Sequence, residues 1–287
     1  MTFPTGPTHP GPTPAGPLTP YRATSGPDAS SPDPFDPTPT DPLTSGRAAS
    51  GRDAPAPGVR PRWWRRPWVA PLMVVAAAFV AFSLPPYLSL DPAQSRVPAP
   101  DFFPPHFAVL SLHVVFGSIA MITCCLQIWP WFRARYPRAH RRIGRVYVFA
   151  GCLPSGLLGL TVGVATPWGP VTMVSNVLLA LLWLGCTLAG WRMARQRRFV
   201  DHRRWMVRSF ALTMSIVTNR IYGVLFGILL FPQLDTTFNG DETQLMQTIA
   251  ALSAWLGWVL PLLVAEWWLE RTDAAKRRAR ARAHRST

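Results

Sequence analysis

The sequence is short of charge. Only 15% of its 287 residues are Asp, Glu, Lys or Arg, against roughly a quarter in an average soluble domain, which excludes a single water-soluble globule. Acidic residues are the scarcer kind, 14 against 29 basic, and Lys276 is the single lysine, so the net charge of +15 is carried by arginine. The four cysteines, Cys124, Cys125, Cys152 and Cys186, all lie inside apolar stretches. That placement excludes a disulfide framework in the loops and leaves them as small buried residues. Adjacent Cys124 and Cys125 lack metal-ligand spacing, and no metal is assigned beyond a haem iron considered below. Alternation of apolar and polar residues at the strand period is missing, which excludes a barrel. The apolar stretches hold no Ser-His-acid set and no His-Glu-x-x-His, so no hydrolase or transferase motif is found, while an oxidoreductase role stays open. The first residues show neither the basic, apolar and small-residue succession of a secretory signal nor an arginine-rich transit pattern.

Proline, by contrast, is abundant and unevenly placed. Residues 1–61 hold 16 of the 32 prolines, together with Thr, Ser, Gly and Asp. Such a composition buries too little apolar surface to offset the entropy of ordering, so a disordered cytosolic tail is expected there. Between residues 62 and 269 lie six apolar runs, approximately 68–90, 107–130, 143–165, 171–192, 205–231 and 246–268. Each is long enough for a hydrocarbon core of about 30 Å at about 1.5 Å per residue. Backbone in lipid must pair its own polar groups, so such runs mean helices. The expected fold is all-α, a polytopic membrane bundle of six transmembrane helices, followed by a basic tail at 270–287.

Arginine position gives the orientation, because short cytosolic loops collect basic residues. Arg60, Arg62, Arg65 and Arg66 precede the first run, Arg133 to Arg142 separate the second from the third, and Arg192 to Arg204 separate the fourth from the fifth. The opposite loops carry Asp91, Arg96 and Asp101, then an uncharged turn, then Asp235, Asp241 and Glu242. Both termini are expected in the cytosol. The same regular placement argues against nucleic acid as a partner and for anionic lipid headgroups at the arginine rim, each arginine contributing on the order of 1 kcal/mol near the surface.

Polar residues inside apolar runs are the first place to look for function. In the second run His106, His113, Gly117, Ala120, Cys124 and Gln127 share one helical face that is small or polar, while its flanks are aliphatic. In the fifth run His202 and Arg220 are 18 residues apart, five full turns, with Met206, Ser209 and Thr213 between them on the same face. Arg220 enters at about the depth of His113. Two cations repel in a low dielectric, so a nearby His113 is expected to be neutral, free to accept a hydrogen bond or ligate a metal. Gly151, Ser155, Gly159 and Gly163 form a small-residue ridge on the third run, suited to close helix packing or to a flat ligand. His140-Arg-Arg and His202-Arg-Arg open the third and fifth runs, the pattern of two related hairpins. Glu266, near the end of the sixth run, is expected to be a border residue rather than a general base.

Taken together, Leu112-His113-x-x-x-Gly117, Gln127, Pro137-x-x-His140-Arg-x-x-Gly144-Arg-Val-Tyr147, and His202-Arg-Arg-Trp-Met206-x-Arg208-Ser209 followed by Arg220 resemble the bacterial predicted-membrane-protein family called domain of unknown function 2306. The resemblance covers about residues 70 to 268 and implies a bacterial cytoplasmic (inner) membrane protein, with no activity attached. A weaker, architectural resemblance is to cytochrome b561-like membrane proteins, which bind haem through histidines on neighbouring helices. It implies haem b between His140 and His202, with Arg141, Arg203 or Arg208 near the propionates. A second haem at His113 lacks a partner, because the fourth run has no histidine and His106 lies on the same helix.

Three functions compete on these residues. The first is a polar pocket of His113, Asn219, Arg220 and Gln127 that binds or transports a small molecule or lipid, an anion being the natural partner of an intramembrane arginine beside a neutral histidine. The second is a redox protein holding a single haem b at His140 and His202, or a quinone near His113 and Arg220. The third is a structural or partner-binding membrane protein whose inner polar residues only hold helices together.

Overall fold

The computed structural model describes residues 68–285. The proline-rich stretch 1–61 expected as a disordered tail, and Arg60 to Arg66 with it, lie outside the described residues. Among the described residues the secondary structure is helical throughout, without a strand.

Prolines and glycines set most of the helix boundaries. α1 (Val69–Ser83) stops where Pro85 and Pro86 follow, because neither proline supplies an N–H to carry the hydrogen-bond ladder on, although Leu84 itself keeps a helical backbone (φ −75°, ψ −41°); the short α2 (Pro85–Leu88) begins on those prolines. Fifteen residues span about 22 Å, less than a hydrocarbon core of about 30 Å. α3 (His106–Ile128) ends at Trp129, which the following Pro130 holds extended (φ −74°, ψ 110°). α4 (Pro130–Arg135) and α5 (Pro137–Val146) come next, each with proline in its first turn, where a missing N–H costs nothing.

α5 continues through a π-turn at Tyr147–Cys152 into α6 (Leu153–Val164), giving one rod over Pro137–Val164. Pro154 explains the wide turn. In a regular helix its ring would strike the Ala150 carbonyl and leave that oxygen without a donor. α7 (Gly169–Arg195) starts on a glycine at φ +83°, a backbone state that side chains disfavour. A tight turn with Arg197 at φ +59° leads to α8 (Phe199–Leu230). The last helix, α9 (Glu242–Arg285), runs 44 residues. It absorbs the stretch 270–287 expected as a separate tail, up to Arg285, since that stretch is mostly Ala and Arg and holds no Gly or Pro.

Five helices are long and apolar enough to cross a membrane, His106–Ile128, Pro137–Val164, Gly169–Arg195, Phe199–Gln233 and Glu242–His284. Packing runs in order around the bundle: α3 on α6 and the π-turn, α6 on α7, α7 on α8, and α8 most extensively on α9. α1 rests on α3. The core joins Ala120, Met121, Cys124 and Cys125 of α3 to Tyr147, Cys152, Trp183, Leu212 and Trp258. All four cysteines are buried and free. Close approach of α3 and the π-turn requires Gly151, where a Cβ would sit 2.8 Å from the Ala120 Cα.

Candidate functional site

Near the arginine-poor end of the bundle, α1, α3, α6, α7, α8 and α9 line a partly open cavity of about 650 Å³, with Arg96 and Arg220 among its exposed residues. His113, Asn219 and Arg220 all line it, so three of the four residues expected in a polar pocket stand on one wall system. Gln127 does not. It belongs to the opposite, arginine-rich end, where its side-chain amide donates to the His140 carbonyl at 3.0 Å and packs beside Gly144. The reason is distance along α3: Gln127 shares a face with His113 but lies fourteen residues further on, about 21 Å down the axis.

His113 is fixed by its neighbours on α6. Its Nδ1 lies 2.8 Å from the Ser155 carbonyl oxygen, and Ser155 Oγ donates to the His113 carbonyl at 3.1 Å. A carbonyl only accepts, so Nδ1 carries the proton and Nε2 keeps its lone pair. Gly159 makes room for the ring, since a Cβ there would meet the His113 Cε1 at 3.0 Å. The small-residue ridge therefore does two things: Gly151 admits α3, and Gly159 admits the imidazole.

His106, a border residue in the sequence, is wholly buried, lines the same cavity, and has no hydrogen-bond partner at either ring nitrogen. A buried polar atom left unpaired costs about 1–3 kcal/mol, so this ring invites a partner from the cavity. Charge is one-sided. Arg220 and Arg96 both line the cavity, and no Asp or Glu does. Among the described residues neither arginine has an ion pair; the Arg96 guanidinium lies over the Phe82 ring, 3.8 Å from its centroid. The rest of the lining is largely apolar, including Met121, Leu179, Trp183, Leu212 and Trp258.

Below the cavity lies a buried hydroxyl cluster. The Tyr147 hydroxyl contacts Ser209 Oγ at 2.6 Å and Thr213 Oγ1 at 2.8 Å, Thr187 Oγ1 reaches Ser209 Oγ at 2.7 Å, and the Trp183 indole N–H donates to Thr213 Oγ1 at 3.0 Å. Sequence reading placed Ser209 and Thr213 on the face shared by His202 and Arg220, but Tyr147 and Thr187 are drawn in only by the packing of the π-turn and α7 on α8.

At the arginine-rich end Arg208 and Glu266 form a two-pronged ion pair, Nη2 to Oε2 at 2.8 Å and Nε to Oε1. Glu266 is thus the tie between α8 and α9 rather than a free border residue. His140 and His202 come close enough to interact electrostatically. His202 Nδ1 donates to the Gly190 carbonyl at 2.8 Å, which leaves Nε2 available as in many ligating histidines. The glycines beside the pair, however, are filled by protein: Gly144 by Gln127, and Gly190 by Met206, whose Sδ would lie 2.5 Å from a Cβ. Neither glycine leaves open space for a flat ring. Among the described residues no cluster of three or more His, Cys, Asp or Glu could hold a metal ion.

Apolar helices around a largely apolar cavity with two arginines in its wall define a helical membrane protein. The chain belongs to the DUF2306 family of predicted membrane proteins, whose family model matches residues 110–269. That match takes in His113, Asn219 and Arg220 but not Arg96 or His106, so the cavity draws part of its polar lining from outside the matched region. No curated protein and no solved structure matches the chain.

Proposed function

We propose that this protein is a polytopic cytoplasmic-membrane protein that binds or transports a small molecule or lipid in the cavity of His113, Asn219 and Arg220. The observation that carries the reading is the unbalanced charge: two arginines and no carboxylate line one largely apolar cavity. An arginine in such surroundings is held where it meets an anion. His113, with Nε2 left as an acceptor, adds a hydrogen bond for a protonated or hydroxyl-bearing group. On this reading six helices cross the membrane with both termini in the cytosol, the cavity faces the outside, and the arginine rim meets anionic headgroups. The test is a thermal-shift screen of the purified full-length protein against anionic metabolites and lipids. Stabilisation that disappears in Arg220→Gln is expected; a response unchanged by that substitution removes the cavity from the account.

The redox reading places a quinone near His113 and Arg220, or a haem b between His140 and His202. With the space beside them filled, protein purified from haem-replete cells is expected to show no haem band in its reduced-minus-oxidised spectrum. A band lost in both His140→Ala and His202→Ala would reverse this.

A further inference from the structure

We infer that the cavity is the seat of a membrane-borne anionic amphiphile, its oxyanion head between Arg96 and Arg220 and one hydrocarbon chain lying along α3. The inference rests on the reading of the cavity as the binding site and narrows its ligand to one chemistry. Three independent observations converge on it.

The first is shape. The cavity extends along α3 from His106 to Met121, fifteen residues or about 22 Å. That length accommodates an extended chain lying along the bundle, with walls from α1, α3, α6, α7, α8 and α9 around it.

The second is the sequence of chemistry along that length. Arg96 and Arg220 form the charged part, without a carboxylate to neutralise them. His106 follows at the first turn of α3 with both ring nitrogens buried and unpaired. A neutral imidazole offers one donor and one acceptor, which suits the ester or hydroxyl linkage that joins a lipid head to its chain. Beyond His113 the lining is Met121, Leu179, Trp183 and Leu212, and the neighbouring Ser118 and Thr213 hydroxyls are taken up by bonds within the protein. Head, linkage and tail each have a matching stretch of wall.

The third is access from the side. α1 packs on α3 and α2, and its contacts with α8 and α9 are marginal at most. Phe82 of α1, 61% exposed, and Val224 of α8, 65% exposed, both line the cavity. Large apolar residues that line a cavity and also face outward are what a lipid-side entrance requires, because a chain entering there never meets water.

Dodecyl phosphate, dodecanol and inorganic phosphate serve as probes, titrated against the full-length protein in nonionic detergent while its melting temperature is followed. Dodecyl phosphate alone should raise the melting temperature, and its half-maximal concentration should rise at least tenfold in Arg220→Gln and in Arg96→Gln. Arg96 lies in an exposed loop, so the second variant keeps the test valid if the first does not fold. Stabilisation by inorganic phosphate equal to that by dodecyl phosphate would overturn the amphiphile while leaving an anion site, and the broader reading, in place. Equal stabilisation by dodecanol would overturn the role of the head. No response to any probe, with other anions still acting through Arg220, would likewise sink the lipid and spare the pocket.

Discussion

Glu266 shows what a single residue's neighbours decide. Its position near the end of an apolar run marks a border carboxylate, yet α8 brings Arg208 onto it in a two-pronged contact. The two side chains are 21% and 35% exposed, between a surface pair and a sealed one, so Arg208→Leu is expected to cost about 1–3 kcal/mol by leaving the carboxylate without its donor. Arg208→Leu combined with Glu266→Leu should be less destabilised than the sum of the two single variants, read as melting temperatures of the purified proteins. Simple additivity would show that the pair contributes nothing jointly. The same logic separates the candidate site residues. His113 and Arg220 were legible because an ionisable group in an apolar run is conspicuous wherever it lies. His106 was named on the same face as His113, but at a run's border its ring has equal claim to solvent and to the interior, and its complete burial is seen only in the folded bundle.

At the scale of elements, run length and proline position fixed most of what was expected. α3, α6, α7 and α8 fall where the apolar runs fall; the run 68–90, expected as one span, is instead broken after Ser83, where Pro85 and Pro86 supply no N–H. Two further features escaped. The π-turn at Tyr147–Cys152 depends on how one carbonyl avoids the Pro154 ring, a choice between kinking and widening that composition does not decide. The continuation of α9 to Arg285 was hidden because a stretch of arginines reads as a solvated tail, although its residues are good helix formers. The ridge Gly151 to Gly163 was visible as a ridge. That its members divide between admitting a helix and admitting the His113 ring is a matter of register between α3 and the rod it touches.

For the whole molecule, the expected crossing pattern can be measured. Reporter fusions after Arg285 and within 270–285 should be active on the cytosolic side, and fusions in the Asp235–Asp241 and Pro92–Asp101 loops on the outer side. With five crossings after it and a cytosolic C-terminus that last loop is outside either way, so a reporter placed ahead of Val69 decides α1: an outer-side signal there would mean that α1, too short by itself for a hydrocarbon core, does not cross. By itself the sequence determined that the chain is helical and membrane-embedded, where its helices lie, and which residues are out of place in lipid, because those properties depend on local composition and on the cost of unpaired backbone in hydrocarbon. Which polar residues share a cavity was decided only by the tertiary structure. Arg96, His106, His113 and Arg220 come from a loop and two helices whose contacts are set by side-chain packing across the bundle, and Gln127, on the same helical face as His113, was placed elsewhere by nothing more than four turns of helix.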